Sequence, residues 1–104
     1  MTQREIAGVT IDVDDNGYMT DLEQWTKDIA AAFAKEVEID ALTDKHWGVI
    51  EYLQKRHKEG VALSIRKVGK SGVVDIKEFY RLFSGGPLKK SSLIAGIPKP
   101  VSCV

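Results

Sequence analysis

Chemistry in this sequence concentrates near its C-terminus. "GIPKPVSCV", residues 96–104, contains Cys103, the single cysteine of 104 residues. One thiol can form neither an internal disulfide nor a cysteine-based zinc site within one chain, so it is left as a free nucleophile. The thiolate is the reactive form, and nearby cations favour it. Lys99 lies on the same segment, Lys89 and Lys90 precede it, and no acidic residue follows Glu78. Pro98 and Pro100 forbid a helix and favour an extended, mobile arm over residues 96–104. From Gly96 to Cys103 such an arm spans roughly 20–25 Å, enough to enter the cleft of another protein.

Other motifs are weaker. "DVDDNGYMTDLE" fits a calcium loop, with Asp12, Asp14 and Asn16 at the first alternate positions, Gly17 at the sixth and Glu23 at the twelfth. A calcium loop of this type needs an entering helix, whereas "EIAGVTI" before it is β-branched and contains Gly8. The segment therefore reads as a hairpin turn, and a calcium-binding module stands as an alternative from a different class. His46 and His57 share a helical face but sit about 16 Å apart along it, too far to chelate one ion. Neither a metal nor a cofactor is expected. Trp25, Trp47, Phe33, Phe79, Tyr80 and Phe83 read as core, and the glycines form no phosphate loop.

The elements that must position Cys103 follow from periodicity. Val9, Ile11 and Val13 alternate with polar residues, and Asp14–Gly17 then turns the chain, which predicts a β-hairpin. Leu22, Trp25, Ile29, Phe33 and Val37 predict a helix from Asp21 to Val37, interrupted near Thr26. Thr43 caps a second helix ending at Gly60, with Trp47, Ile50, Tyr52 and Leu53 as its apolar stripe. Short helices are predicted in "ALSIRKVG" and, after a cap at Asp75, in "IKEFYRLF". Gly85-Gly86 breaks the chain, and Pro87 opens a last helix, "PLKKSSLIA".

The length suits one domain over residues 1–104. Neither a signal peptide nor a membrane-spanning run is evident, which predicts a cytoplasmic protein with no membrane partner. Net charge is zero, yet residues 1–53 carry −8 and residues 54–104 carry +8. Either the halves pair with each other, or the basic half steers an acidic protein or an RNA. A helical domain that binds nucleic acid directly is the second alternative from a different class.

"IAGIPKPVSCV" resembles the closing signature of the DsrC/TusE family of sulfur-relay proteins. "DDNGYM" before "QW", "LTDKHWGVIEYL", "IRK" and "FYRLFSGGPLKK" are similar to further family segments, so the resemblance covers nearly the whole chain. It implies a mainly α fold: a small orthogonal helical bundle with an N-terminal β-hairpin and a flexible C-terminal arm. It also implies that Cys103 holds sulfane sulfur as a persulfide, supported by Lys99, Gly96, Pro98, Pro100, Lys89, Lys90 and Arg66. The implied partners are a sulfur-donor protein complex and an acceptor protein, either a tRNA thiouridylase or a sulfite reductase, with tRNA met only indirectly. The DsrC-type members carry a second cysteine eleven positions upstream, where this chain has Ser92. That departure favours the TusE type, a sulfurtransferase-type carrier not expected to turn over alone; a DsrC-like partner of dissimilatory sulfite reductase, or a regulatory paralogue of it, is the alternative that the resemblance implies. "GVALSIRKVGKSGVVDI" is shorter and less similar to the usual family segment.

Overall fold

Thr2–Ile6 (β1) and Val9–Val13 (β2) pair antiparallel, Thr2 opposite Val13 and Ile6 opposite Val9. The turn joining them is Ala7-Gly8, both at positive φ, which matches the twist of a two-residue hairpin. The hairpin thus lies one strand earlier than the sequence pattern placed it. The computed structural model describes residues 2–61 and 63–98; Lys99, Pro100 and Cys103 lie outside the described residues.

Asp14–Gly17 also turns, and brings Met19 into a single bridge with Val13. The carboxylates of the calcium-like loop serve this turn. Asp14 accepts from the N–H groups of Asn16 and Tyr18 at 2.8 and 3.0 Å, and Asp12, inside β2, accepts from the Gln24 amide at 3.0 Å. The element leading into the loop is a strand.

The helix expected from Asp21 to Val37 is split. Asp21 caps a single 3-10 turn, Leu22–Gln24. Trp25 is then extended, and the Thr26 hydroxyl accepts from the Ile29 N–H at 3.2 Å to start Lys27–Glu36 (α1). Asp44–Lys58 (α2), Ile65–Gly69 (α3), Ile76–Leu82 (α4) and Pro87–Ala95 (α5) follow. Ser64 and Asp75 cap α3 and α4 through their side chains. The described residues therefore form a mainly α fold of five α-helices with a two-stranded hairpin. No helix among them is long and apolar enough to cross a membrane.

α5 packs against α1, α2 and α4, which makes it the helix around which the core is built. Phe33, Phe79, Phe83, Leu88 and Ile94 are buried together with Ile11 and Met19 from the N-terminal segment. The buried stripe of α2 is His46, Val49, Ile50 and Leu53; Trp47 and Tyr52, expected on it, are only half-buried at its edge. Tyr80, expected in the core, is 48% exposed. It lies one residue beyond Phe79 on α4, and the buried side of that short helix is filled by the two phenylalanines.

His46 ties the helices together. Its Nδ1 accepts from the Thr43 N–H at 3.0 Å, and its Nε2 donates to the Leu82 carbonyl at 2.9 Å. A backbone N–H can only donate and a carbonyl only accept, so the ring is neutral with its proton on Nε2. Phe83 stands edge-on to the ring, centroids 5.0 Å apart. Both ring nitrogens of His46 are occupied in joining the start of α2 to the end of α4.

The described ion pairs join Arg4 to Glu36, Lys45 to Glu78 and Arg56 to Glu59. None pairs a carboxylate of the acidic half with a cation of the basic half. The mutual neutralisation considered from sequence is therefore absent from these contacts.

The His46 arrangement predicts that His46→Ala lowers unfolding free energy by about 2–4 kcal/mol, through a cavity beside Phe83 and an unpartnered Leu82 carbonyl. Thr43→Ala, which removes the hydroxyl lying 2.8 Å from His46 Nδ1 but leaves the ring and its bond to Leu82 in place, is expected to cost about 1 kcal/mol. Urea unfolding of both variants checks the order; equal losses would show that the bond to Leu82 contributes nothing.

Candidate functional site

The last four carbonyls of any helix lack intrahelical partners. In α5 these belong to Ser92, Leu93, Ile94 and Ala95, and each has a donor. Ile97 N–H and Gly96 N–H donate to Ser92 and Leu93, both at 3.2 Å, in the pattern of a Schellman stop. Trp25 Nε1 donates to Ile94 at 2.8 Å, and Gln54 Nε2 donates to Ala95 at 2.7 Å. Two distant side chains, from the α1 entry and from α2, thus complete what the local stop leaves open.

This end of α5 is where the Cys103 segment departs. Gly96 adopts φ 74°, ψ 23°, a left-handed conformation that favours glycine. A Cβ there would lie 2.5 Å from Trp25 Cδ1 and 3.1 Å from Met19 Sδ. Gly96 therefore answers two demands, a backbone reversal and close passage over the indole. Ile97 is 1% exposed and belongs to the core, whereas Pro98 is exposed. The arm expected to begin at Gly96 is consequently anchored through Ile97.

The other expected site residues are dispersed. Lys89 and Lys90 sit at the opposite end of α5, with Lys90 about 9 Å along the axis from Gly96. The Lys90 ammonium donates to the carbonyls of Ser84 at 2.7 Å and Val37 at 3.3 Å, joining the end of α1 to the loop before α5. Its hydrogen bonds are structural. Arg66 is exposed on α3. Of the expected set, the structure brings Gly96 beside Trp25 and Met19, next to the Ala95 carbonyl held by Gln54, while Pro98 is exposed. Trp25 had a sequence signal, since "QW" belongs to a quoted family segment. Gln54 had none: nothing local marks a helix glutamine as the donor to another helix's carbonyl.

Ser92 is fully buried, and its hydroxyl has no hydrogen-bond partner among the described residues. The neighbouring Ser91, equally buried, donates to the Leu88 carbonyl at 3.2 Å. A buried orphan hydroxyl carries a desolvation cost of about 1–3 kcal/mol, so a less polar side chain suits position 92 better than serine does.

A family model described as DsrC like protein matches residues 5–104. The chain is 37% identical to Sulfurtransferase TusE of Photorhabdus laumondii, over 93% of this chain and 94% of that protein. It is 30% identical to the gamma subunit of the dissimilatory-type sulfite reductase of Nitratidesulfovibrio vulgaris, over the full length of both. The solution structure of Allochromatium vinosum DsrC superposes with a TM-score of 0.81 at 32% identity, covering 98% of this chain and 97% of that one.

Two outcomes follow for this helix end. Gly96→Ala is expected to cost about 2–4 kcal/mol, the left-handed penalty added to the clash with Trp25. Ser92→Ala is expected to be neutral or stabilising, whereas Ser91→Ala loses about 1 kcal/mol. Thermal and urea unfolding of the three variants test both statements, and a Ser92→Ala loss equal to that of Ser91→Ala would contradict the second.

Proposed function

The chain belongs to the DsrC-like family, and on that premise we propose that it is a sulfur carrier whose working atom is Cys103 Sγ. The observation that carries this reading is the extent of the family match: it runs to residue 104 and so includes the thiol segment as well as the helical body. The anchored end of α5 supports it, because a carrier must present its thiol from a fixed origin.

The chemistry is thiol–persulfide exchange. Cys103 thiolate attacks the outer sulfur of a donor persulfide, the donor's S–S bond breaks, and the donor leaves as a thiolate. The new Cys103 persulfide is then attacked at its outer sulfur by an acceptor thiolate, which returns Cys103 to its starting state. No external oxidant or reductant is consumed. In this proposal Lys99 favours the thiolate electrostatically, Pro98 and Pro100 are residues whose fixed φ disfavours a helix, and Gly96 sets the direction in which the chain leaves α5. Lys89, Lys90 and Arg66 contribute to the positive field of this half and make no contact with the thiol in this proposal.

The donor is a sulfur-donor protein complex and the acceptor a tRNA thiouridylase, as for a TusE-type relay. Serine at position 92 favours this branch, since one thiol cannot store an intramolecular disulfide. The second reading is a DsrC-type partner of dissimilatory sulfite reductase, which the full-length similarity to a gamma subunit of that enzyme favours.

Incubation with glutathione persulfide is expected to add one sulfur, about 32 Da by intact mass, removable by reductant. Cys103→Ser abolishes the addition. An adduct that persists on the variant would remove the basis of the carrier reading.

A further inference from the structure

On α4, Ile76 and Tyr80 lie one turn apart and are 44% and 48% exposed, two of the few large apolar side chains so exposed among the described residues. Lys77 and Arg81 repeat the same spacing beside them. α3 packs against this helix: a Cβ on Gly69 would lie 2.4 Å from the Ile76 side chain, so the two backbones approach closely there. Arg66 and Lys70 flank Gly69 on α3, three residues before it and one after. The result is one face with Ile76 and Tyr80 at its centre and cations at its margin.

Among the described residues no carboxylate is ion-paired with a cation of this face. Asp75 accepts from the Glu78 N–H at 2.7 Å as the cap of α4, and Glu78 is paired with Lys45 of α2 at 3.1 Å. Glu59, the remaining acid after residue 53, is paired with Arg56. None of Arg66, Lys70, Lys77 and Arg81 has a carboxylate partner among the described ion pairs.

We propose that α3 and α4 form a docking surface for an acidic protein, and that this protein exchanges sulfur with Cys103; the second clause rests on the carrier reading above. An exposed tyrosine ringed by arginine and lysine is the composition of a protein-interface hot spot. A phosphate backbone fits it less well. Nucleic-acid recognition spreads charge over about 6–10 phosphate contacts, whereas here the cations surround an apolar pair that only a protein surface would desolvate. The acidic half of this chain, at −8, would also repel a long polyanion.

Position supports the same assignment. Tyr52 Oη donates to the Lys67 carbonyl of α3 at 3.4 Å, and two residues on, Gln54 holds the Ala95 carbonyl where the thiol segment starts. Two residues are about half a helical turn, so these side chains leave opposite sides of α2, and the width of that helix, about 10 Å, separates α3 from the end of α5. A partner seated on α3 and α4 lies within the roughly 20–25 Å that residues 96–103 span when extended.

The test places p-benzoylphenylalanine at Tyr80 of the full-length protein in its own host, with Thr10 of β2 as the control position. The photoproduct is identified by mass spectrometry, and the captured protein is purified and titrated against wild type and variants at about 50–300 mM KCl. The expected result is an acidic protein whose affinity falls about tenfold or more with Tyr80→Ala and with the double change Lys77→Glu and Arg81→Glu. Lys27→Glu on α1 is expected to leave that affinity unchanged. Labelling no greater than at Thr10, a nucleic-acid photoproduct, or affinity indifferent to the α4 changes would each overturn the surface. Sulfur uptake from glutathione persulfide, which needs no docking, is expected to be equal in all these folded variants. Its failure in wild type would overturn the carrier reading alone, because crosslinking and affinity judge the surface independently.

Discussion

Everything that bears on Cys103 depends on how one helix ends. Stopping α5 with four unpaired carbonyls inside a packed core would cost far more than a small domain can spare. Two carbonyls are met locally by the left-handed reversal at Gly96; the other two are met by Trp25 and Gln54. These long-range bonds fix the arm base relative to both the N-terminal segment and α2. Burial of Ile97 immediately afterwards means that the chain leaves the body at one place and in one direction.

The same requirement accounts for features that look unrelated. The helix predicted from Asp21 is split because Trp25 must be extended for its indole to reach Ile94. Thr26 then restarts the helix at small cost, its hydroxyl replacing the lost turn. Met19 is delivered beside Trp25 at Gly96 by the Asp14–Gly17 turn and the bridge to Val13. Of the carboxylates resembling calcium ligands, Asp14 closes that turn and Asp12 holds the Gln24 amide. A match in letters became, in three dimensions, part of the support for the arm base.

Helix existence was largely legible in the sequence because it is governed by local rules: Thr43, Asp75 and Pro87 each mark a start that the structure realises. The hairpin turn was misplaced because Ala7 adopts positive φ, a conformation that alanine does not advertise. Tyr80 was misjudged because on a seven-residue helix the neighbouring Phe79 already supplies the buried side chain. For the site, glycine and proline spacing announced where the thiol segment begins, but Gln54 and the structural use of Lys90 were not visible. Both are contacts between residues 41 to 53 positions apart, and composition says nothing about which partner a polar side chain will find.

A carrier of this kind faces opposite demands: its thiol must move between two proteins, yet each transfer needs sulfur atoms in contact. Stiff attachment and a separate docking face reconcile them. With the arm origin fixed by Trp25 and Gln54, a partner held at α3 and α4 experiences the thiol as a tethered reactant, at an effective concentration on the order of millimolar for a short linker. The docking contact then supplies selectivity while the thiol remains chemically ordinary, and persulfide chemistry benefits from that division. A thiolate made too stable would load readily and attack poorly, because nucleophilicity falls with pKa. In the proposed arrangement recognition lies on the helices and reactivity on Cys103, so each is adjusted without weakening the other, and α2, bonded to α3 through Tyr52 and to the end of α5 through Gln54, sets the distance between α3 and that helix end.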